Sequence, residues 1–155
     1  MSDQSAFQYE KADDSAGFLL WKITSLWQQM LSEVLSRFEI TQTQYAIMAS
    51  LKWFEEHNEP VTQAHLVAHT KIEKMTVSKS IRKLEAAGFV LRTPSVDDTR
   101  AVNVQFTAFG KKQIHKAIAA VENADEIFFS CLTEEQLNAY RSLTISVITG
   151  NSVQQ

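Results

Sequence analysis

The sequence predicts a mainly α fold with one small β-hairpin, and three observations lead there. The 155 residues contain four Gly and two Pro, too few turn residues for a fold built of many hairpins. Apolar positions recur at three- and four-residue intervals through most of the chain, the period of a helix with one buried face. That period breaks once, between residues 89 and 106, where two short β-branched runs flank a turn-rich stretch. With 45% hydrophobic and 21% charged residues, the chain has enough apolar surface for a core and too little charge for disorder. Its length supports one domain, or one domain plus an oligomerisation arm.

Residues 1–12 are polar and mixed and are expected to fray. From Asp13 or Ser15 onward, Leu19, Leu20, Ile23, Leu26, Trp27, Met30, Leu31, Val34 and Leu35 carry helical spacing. The apolar stripe of this first helix is wide enough to bury one flank in its own domain and another against a partner. Thr41 suits the N-cap of a second helix running to Glu56, with Ala46, Ile47, Ala49, Ser50, Leu51 and Phe54 facing inward. The polar His57-Asn58-Glu59-Pro60 ends it. A short third helix follows Thr62 and contributes Leu66 and Val67. A fourth runs from Glu73 to Ala87 and stops at Gly88, which suits the left-handed position just past a helix end. Phe89 to Thr93 and Ala101 to Phe106 are the two strands, joined across the charged tip Pro94 to Arg100. Thr107 caps a fifth helix whose buried side is marked by Ile114, Ile118, Val121, Ile127 and Phe128. Thr133-Glu134-Glu135-Gln136 reads as a capping box that opens the sixth, which ends near Gly150.

Composition also limits function. A single cysteine, Cys131, forms no internal disulfide, and the first residues lack the basic-then-apolar layout of a signal peptide. A reducing, cytoplasmic setting is the simplest expectation. No apolar run approaches the roughly 18 residues that span a bilayer, and Phe18 to Leu35 is interrupted by Lys22, Gln28, Gln29, Ser32 and Glu33; no membrane association is expected. No Ser/His/Asp spacing, Gly-rich phosphate loop or paired metal motif stands out, so an enzyme is not expected. The formal net charge of −3 argues against a nucleic-acid partner until the chain is divided. Residues 1–70 carry four basic and nine acidic side chains, residues 71–112 nine and four, and residues 113–155 two and five. Local charge, not the total, meets a phosphate backbone, and the middle stretch carries +5. A solvated face is the plain alternative.

A short helix, a tight connection, a second helix and a β-hairpin is the winged helix-turn-helix order. A helix of this size fits the major groove of double-stranded DNA, and a hairpin tip reaches the adjacent minor groove or backbone. Projected at roughly 100° per residue, the fourth helix places Val77, Ile81 and Leu84 on one side, as core. Opposite lie Met75, Lys79, Arg82 and Ala86, with Thr76, Ser78 and Lys83 on the shoulders. Hydroxyls suit bases or phosphates, lysines suit guanine or phosphate, and Met75 suits an apolar contact such as a thymine methyl. An ordinary solvated helix face is the alternative.

These residues resemble a known family. Thr43-Gln44-Tyr45-Ala46-Ile47-Met48-Ala49-Ser50-Leu51, Thr62-Gln63-Ala64-His65-Leu66, Met75-Thr76-Val77-Ser78-Lys79, Leu84-Glu85-Ala86-Ala87-Gly88-Phe89-Val90, the wing Asp97-Asp98-Thr99-Arg100-Ala101 and the helix start Phe106-Thr107-Ala108-Phe109-Gly110 look like the MarR type of transcriptional regulator. The motifs run from Thr41 to Gly110, and the helix layout agrees over the whole chain. The resemblance implies one MarR-like domain over residues 1–155, with a dimerisation helix at 13–38, the winged helix-turn-helix at 41–106 and C-terminal dimerisation helices at 107–150. It further implies a homodimer on a pseudo-palindromic operator, acting as a ligand-responsive repressor. Met75, Thr76, Ser78, Lys79 and Lys83 would enter the major groove and Arg100 the minor groove. Asp98 would pair with Arg100 and orient it, or act as a structural clamp of the hairpin. Arg82 would hold a phosphate or an intramolecular acidic partner.

Two departures from the family pattern stand before the recognition helix. Thr70-Lys71-Ile72 replaces a turn that often holds Gly, so either the turn is expected to be less tight or Lys71 to take an unusual backbone angle. Glu73 stands where relatives often have Asp and is expected to be the poorer N-cap. These two features support the alternative of a winged-helix adaptor that pairs with other proteins and does not bind DNA. Many relatives respond to a small aromatic acid; Trp21, Trp27, Trp53 and Phe54 would frame such an effector pocket or else belong to the core. No cofactor or metal is expected, although His65 and His69 lie four apart on the third helix, as zinc ligands do. Relatives that sense peroxide carry a cysteine in the first helix; here the first helix has none, and Cys131 is expected to be a buried, inert thiol.

Overall fold

Every main helix begins at a residue whose side chain can accept a backbone N–H, and those caps set the boundaries. In the computed structural model, which describes residues 5–57 and 59–152, the order is α1 (Ala16–Ser36), α2 (Gln42–Glu56), α3 (Gln63–Thr70), α4 (Lys74–Ala86), β1 (Val90–Pro94), β2 (Val102–Phe106), α5 (Ala108–Phe128) and α6 (Glu134–Ser152). The first residues of the polar N-terminal segment, and Asn58 of the stretch expected to end α2, lie outside the described residues. The fold is mainly helical with a two-stranded antiparallel hairpin, as the sequence predicts. Two compact units are formed, Met1–Val121 and Glu122–Gln155, and the division falls inside α5.

Ser15 accepts the Phe18 N–H at 3.2 Å and starts α1, while Asp13 sits in a 3-10 turn and pairs with Lys22 at 2.8 Å. Thr41 and Gln44 form a reciprocal capping box at α2. At α3 the His65 ring takes the role usually given to Glu or Gln: Thr62 Oγ1 accepts the His65 N–H and His65 Nδ1 accepts the Thr62 N–H. Thr133 and Gln136 cap α6 as the sequence predicts.

In the first unit, Leu31, Val34 and Leu35 of α1, Ile47, Met48 and Leu51 of α2, Leu66 of α3, Val77, Ile81 and Leu84 of α4, and Val90 and Val104 of the hairpin are buried. Each such side chain contributes about 1.5–3 kcal/mol relative to exposure. Met48 joins the inward face of α2 in addition to the residues expected there. Ile114, Ala117 and Val121 make one buried face of α5, whereas Ile127, expected on that side, is exposed. The wide stripe of α1 divides: its C-terminal turns are buried, and Leu19, Leu20, Trp21 and Leu26 face solvent. In the second unit α6 buries none of its residues.

The hairpin pairs Val90 with Phe106 and Pro94 with Val102. Its base is tied to the start of α3, because the Val104 N–H donates to the Val61 carbonyl at 2.9 Å and Thr62 bridges Asn103. Phe89 belongs to the helix end and not to the strand: its N–H returns to Leu84 O at 2.9 Å and the Gly88 N–H to Glu85 O at 3.0 Å, with Gly88 at φ +82°. These two bonds make the Schellman close of α4.

Candidate nucleic-acid interface

The recognition helix is prepared by its own entry. Lys71 takes φ 60°, ψ 15°, a left-handed conformation that costs a non-glycine residue about 1–2 kcal/mol, in line with the unusual angle expected where glycine is missing. The turn is held by Lys71 N–H to Val67 O at 3.0 Å and Ile72 N–H to Thr70 Oγ1 at 3.2 Å. Glu73 is not the weak cap expected. Its carboxylate accepts the N–H groups of Met75 and Thr76, both at 3.0 Å, and the Thr76 hydroxyl at 3.2 Å. Each oxygen of the one carboxylate accepts from a different amide, so two orphan donors of the helix start are satisfied by a single side chain. The backbone bonds from Met75 and Thr76 hold the Glu73 pKa below its ordinary value against the opposing effect of desolvation.

Beyond this cap, Val77, Ile81 and Leu84 are fully buried, which fixes the opposite face outward. Met75 is 72% exposed, and Thr76, Lys79, Arg82 and Lys83 are exposed, with Ser78 partly buried at the edge. The Thr76 hydroxyl hydrogen is committed to Glu73, so toward a base it offers an acceptor. Of the nine basic side chains in residues 71–112, Arg92 pairs with Glu85, and Lys111 pairs with Glu55 at 2.6 Å. Burial alone would raise the Glu55 pKa, but the Lys111 hydrogen bond and the Lys52 and Lys111 charges outweigh it and hold it low. Lys71, Lys74, Lys79, Arg82, Lys83, Arg100 and Lys112 have no ion-pair partner among the described residues. Their charge is available to an external anion.

At the wing tip the expected pairing of Asp98 with Arg100 takes a different form. Asp98 Oδ1 accepts the backbone N–H of Arg100 at 2.9 Å, the Asp98 carbonyl accepts the Ala101 N–H at 3.0 Å, and Ser95 N–H meets the Ala101 carbonyl at 3.0 Å. The aspartate therefore shapes the turn and leaves the Arg100 guanidinium free. A cleft between α3 and the wing base is lined by Thr62, Gln63, Val67, Lys74 and Arg100 among others. Lys74 thus shares a concavity with Arg100, a neighbourhood that residue spacing alone does not give.

The outward face of α4 is thus basic, the wing is held at its turn, and seven cations of residues 71–112 have no ion-pair partner among the described residues. Residues 40–102 match the model of the MarR family. An HTH-type transcriptional regulator of Bacillus subtilis (strain 168), YdcH, is 32% identical over 129 residues, which are 83% of this chain and 88% of that one. The chain belongs to the MarR family. It is a DNA-binding transcriptional regulator and not an enzyme. An HTH-type transcriptional repressor of Mycobacterium bovis is 27% identical over 133 residues, 85% of this chain and 93% of that one. Among solved structures, a cysteine-to-serine variant of MarR from E. coli in complex with operator DNA has the same fold, with a TM-score of 0.76 and 21% identity over 84% of this chain and 91% of that one.

Trp21 is 73% and Trp53 56% exposed, so neither is core. Trp53 stacks on His57 at 4.4 Å between ring centroids, while Phe54 lies against His65 and His69 at 6.1 and 5.1 Å. Trp27 is partly buried on α1. His69 Nδ1 meets the hydroxyl of buried Ser50 at 2.9 Å, so both Nδ1 atoms of the His65 and His69 pair serve α2 and α3. Among the described residues no group of three His, Cys, Asp or Glu is placed to hold a metal ion, and no helix is long and apolar enough to cross a membrane. Cys131 is exposed, contrary to the buried thiol expected; it lies in the turn after α5, beside Phe128 and Phe129, which pack edge to face at 5.0 Å.

Proposed function

We propose that this MarR-family regulator is a homodimeric repressor that reads a pseudo-palindromic operator in double-stranded DNA. The observation that carries the proposal is the set of cations on and around the outward face of α4 that have no ion-pair partner among the described residues. In this reading Met75, Thr76, Ser78, Lys79 and Lys83 enter the major groove, Arg82 holds a phosphate, and Arg100 enters the minor groove from a wing shaped by Asp98. Repression follows from occupancy of an operator that overlaps a promoter, and it agrees with the name of the mycobacterial relative.

Dimerisation is supported by apolar side chains that each unit leaves in solvent: Leu19, Leu20 and Leu26 on α1, and Leu143, Ile145, Val147 and Ile148 on α6. A small aromatic effector is the remaining part of the reading, taken up where the exposed aromatic surface of α1 is covered in the dimer; quenching or shift of tryptophan emission on titration with aromatic acids tests it. The adaptor reading loses the support of a weak cap, since Glu73 caps α4 with two backbone bonds, and the turn before it closes although Lys71 takes the left-handed angle.

Selection of bound DNA from a random pool tests the proposal. It is expected to return an inverted repeat; a pool without an enriched sequence overturns it.

A further inference from the structure

The two residues that follow the recognition helix and its C-cap, Gly88 and Phe89, meet the start of α5 directly. The Thr107 hydroxyl donates to Gly88 O at 2.5 Å, with Phe89 O at 3.2 Å, and the same oxygen accepts the Gly110 N–H at 2.9 Å. One hydroxyl therefore holds the residues just past α4 and caps the N-terminus of α5. The Thr107 N–H adds a bond to Phe89 O at 3.0 Å, and the rings of Phe89 and Phe109 lie 5.3 Å apart. Gly110 is buried, and a Cβ built there would overlap the carbonyl group of Phe89. Backbone touches backbone, so neither helix can rotate about the joint without breaking a bond or closing a contact.

We propose that Thr107 and Gly110 are positioning residues: they fix the direction in which α5 leaves the reading module, and so set the half-site spacing that the dimer accepts. This inference rests on the homodimeric DNA-binding reading above. Between residues 108 and 121, α5 runs for about 20 Å. A turn of about 10° at the joint displaces its far end by about 3.5 Å, close to the roughly 3.4 Å rise of one base pair. A joint that yields by about 10° loses spacing discrimination while each recognition helix still reads its own half-site.

The test uses the full chain and a series of operators derived from the selected repeat, with half-site separation changed one base pair at a time, alongside a single half-site duplex. Wild type is expected to prefer one separation. Thr107→Val, which keeps the shape and loses the hydroxyl, and Gly110→Ala are expected to bind the single half-site as wild type does, while preference among separations flattens or moves by a base pair, a change of about tenfold or more. Thr107→Ser, which keeps the hydroxyl, is expected to retain the wild-type preference. Should Gly110→Ala fail to fold by circular dichroism, Thr107→Val carries the test. An unchanged preference in folded Thr107→Val overturns the inference. Absence of any preferred DNA for wild type overturns the functional reading instead, so the two failures are told apart.

Discussion

The carboxylate of Glu73 holds Thr76 twice, accepting its backbone N–H at 3.0 Å and its hydroxyl at 3.2 Å. The first turn of the recognition helix is therefore organised by a side chain that stands outside the groove-facing set. Glu73→Ala is expected to weaken operator binding and lower the thermal midpoint, with Glu73→Asp in between. The pKa of Glu73 is lowered in the fold, so its contribution is complete above the ordinary glutamate value of about 4.3 and is lost as pH falls through the folded-state value. Wild type and Glu73→Ala are thus expected to differ in stability near neutral pH and to converge in acid. A difference that stays constant across that whole range contradicts the assignment.

Lys79 lies in mid-face on α4, without an ion-pair partner among the described residues, and is assigned to a base edge. Lys79→Ala is expected to cost about 1–3 kcal/mol and to relax preference at one position of each half-site. Arg82→Ala, assigned to phosphate, is expected to weaken all sequences alike and to reduce the salt slope by about 0.9 for each phosphate that it leaves without a cation. Binding to single-base operator variants at several salt concentrations separates the two; identical profiles would refute the assignment.

Asp98→Ala removes the acceptor for the Arg100 N–H. The loss of one such bond is worth about 1 kcal/mol, roughly fivefold in affinity, and it should appear in DNA binding and not in the thermal midpoint, since the wing tip is exposed. A drop in midpoint with unchanged binding would make the aspartate a stabilising clamp alone.

Leu143 is exposed on a helix that buries none of its residues. If two copies cover it, Leu143→Glu acts twice per dimer and costs about 3–6 kcal/mol. Sedimentation should then show monomer where wild type is dimeric. A dimer of unaltered strength removes α6 from the interface.

The apolar period of α4 marks Val77, Ile81 and Leu84 as its buried face, and the caps Thr41, Thr62, Thr107 and Thr133 are legible because a hydroxyl before a periodic run has few other roles. A ranking of caps undervalues Glu73, because it averages over contexts and does not show that one carboxylate reaches two donors at once. The exposure of Trp21, Leu143 and Cys131 is not legible, since a pattern shows which residues are apolar and not what covers them. The joint at Thr107 and Gly110 is hidden for a different reason. Its motif is visible, but the closeness of Phe89 to Gly110 exists only once β1 and β2 pair and return the chain to the end of α4.

In the proposed reading, the cations around α4 that lack an ion-pair partner among the described residues meet DNA. The most direct measurement is a salt titration of binding to the selected operator by wild type and by Lys79→Ala/Arg100→Ala. Wild type is expected to give log K falling linearly with log salt, by roughly 0.9 for each phosphate neutralised, and the double variant to lose binding at an unchanged thermal midpoint. A flat salt response, or a double variant that binds as tightly as wild type, would contradict the account.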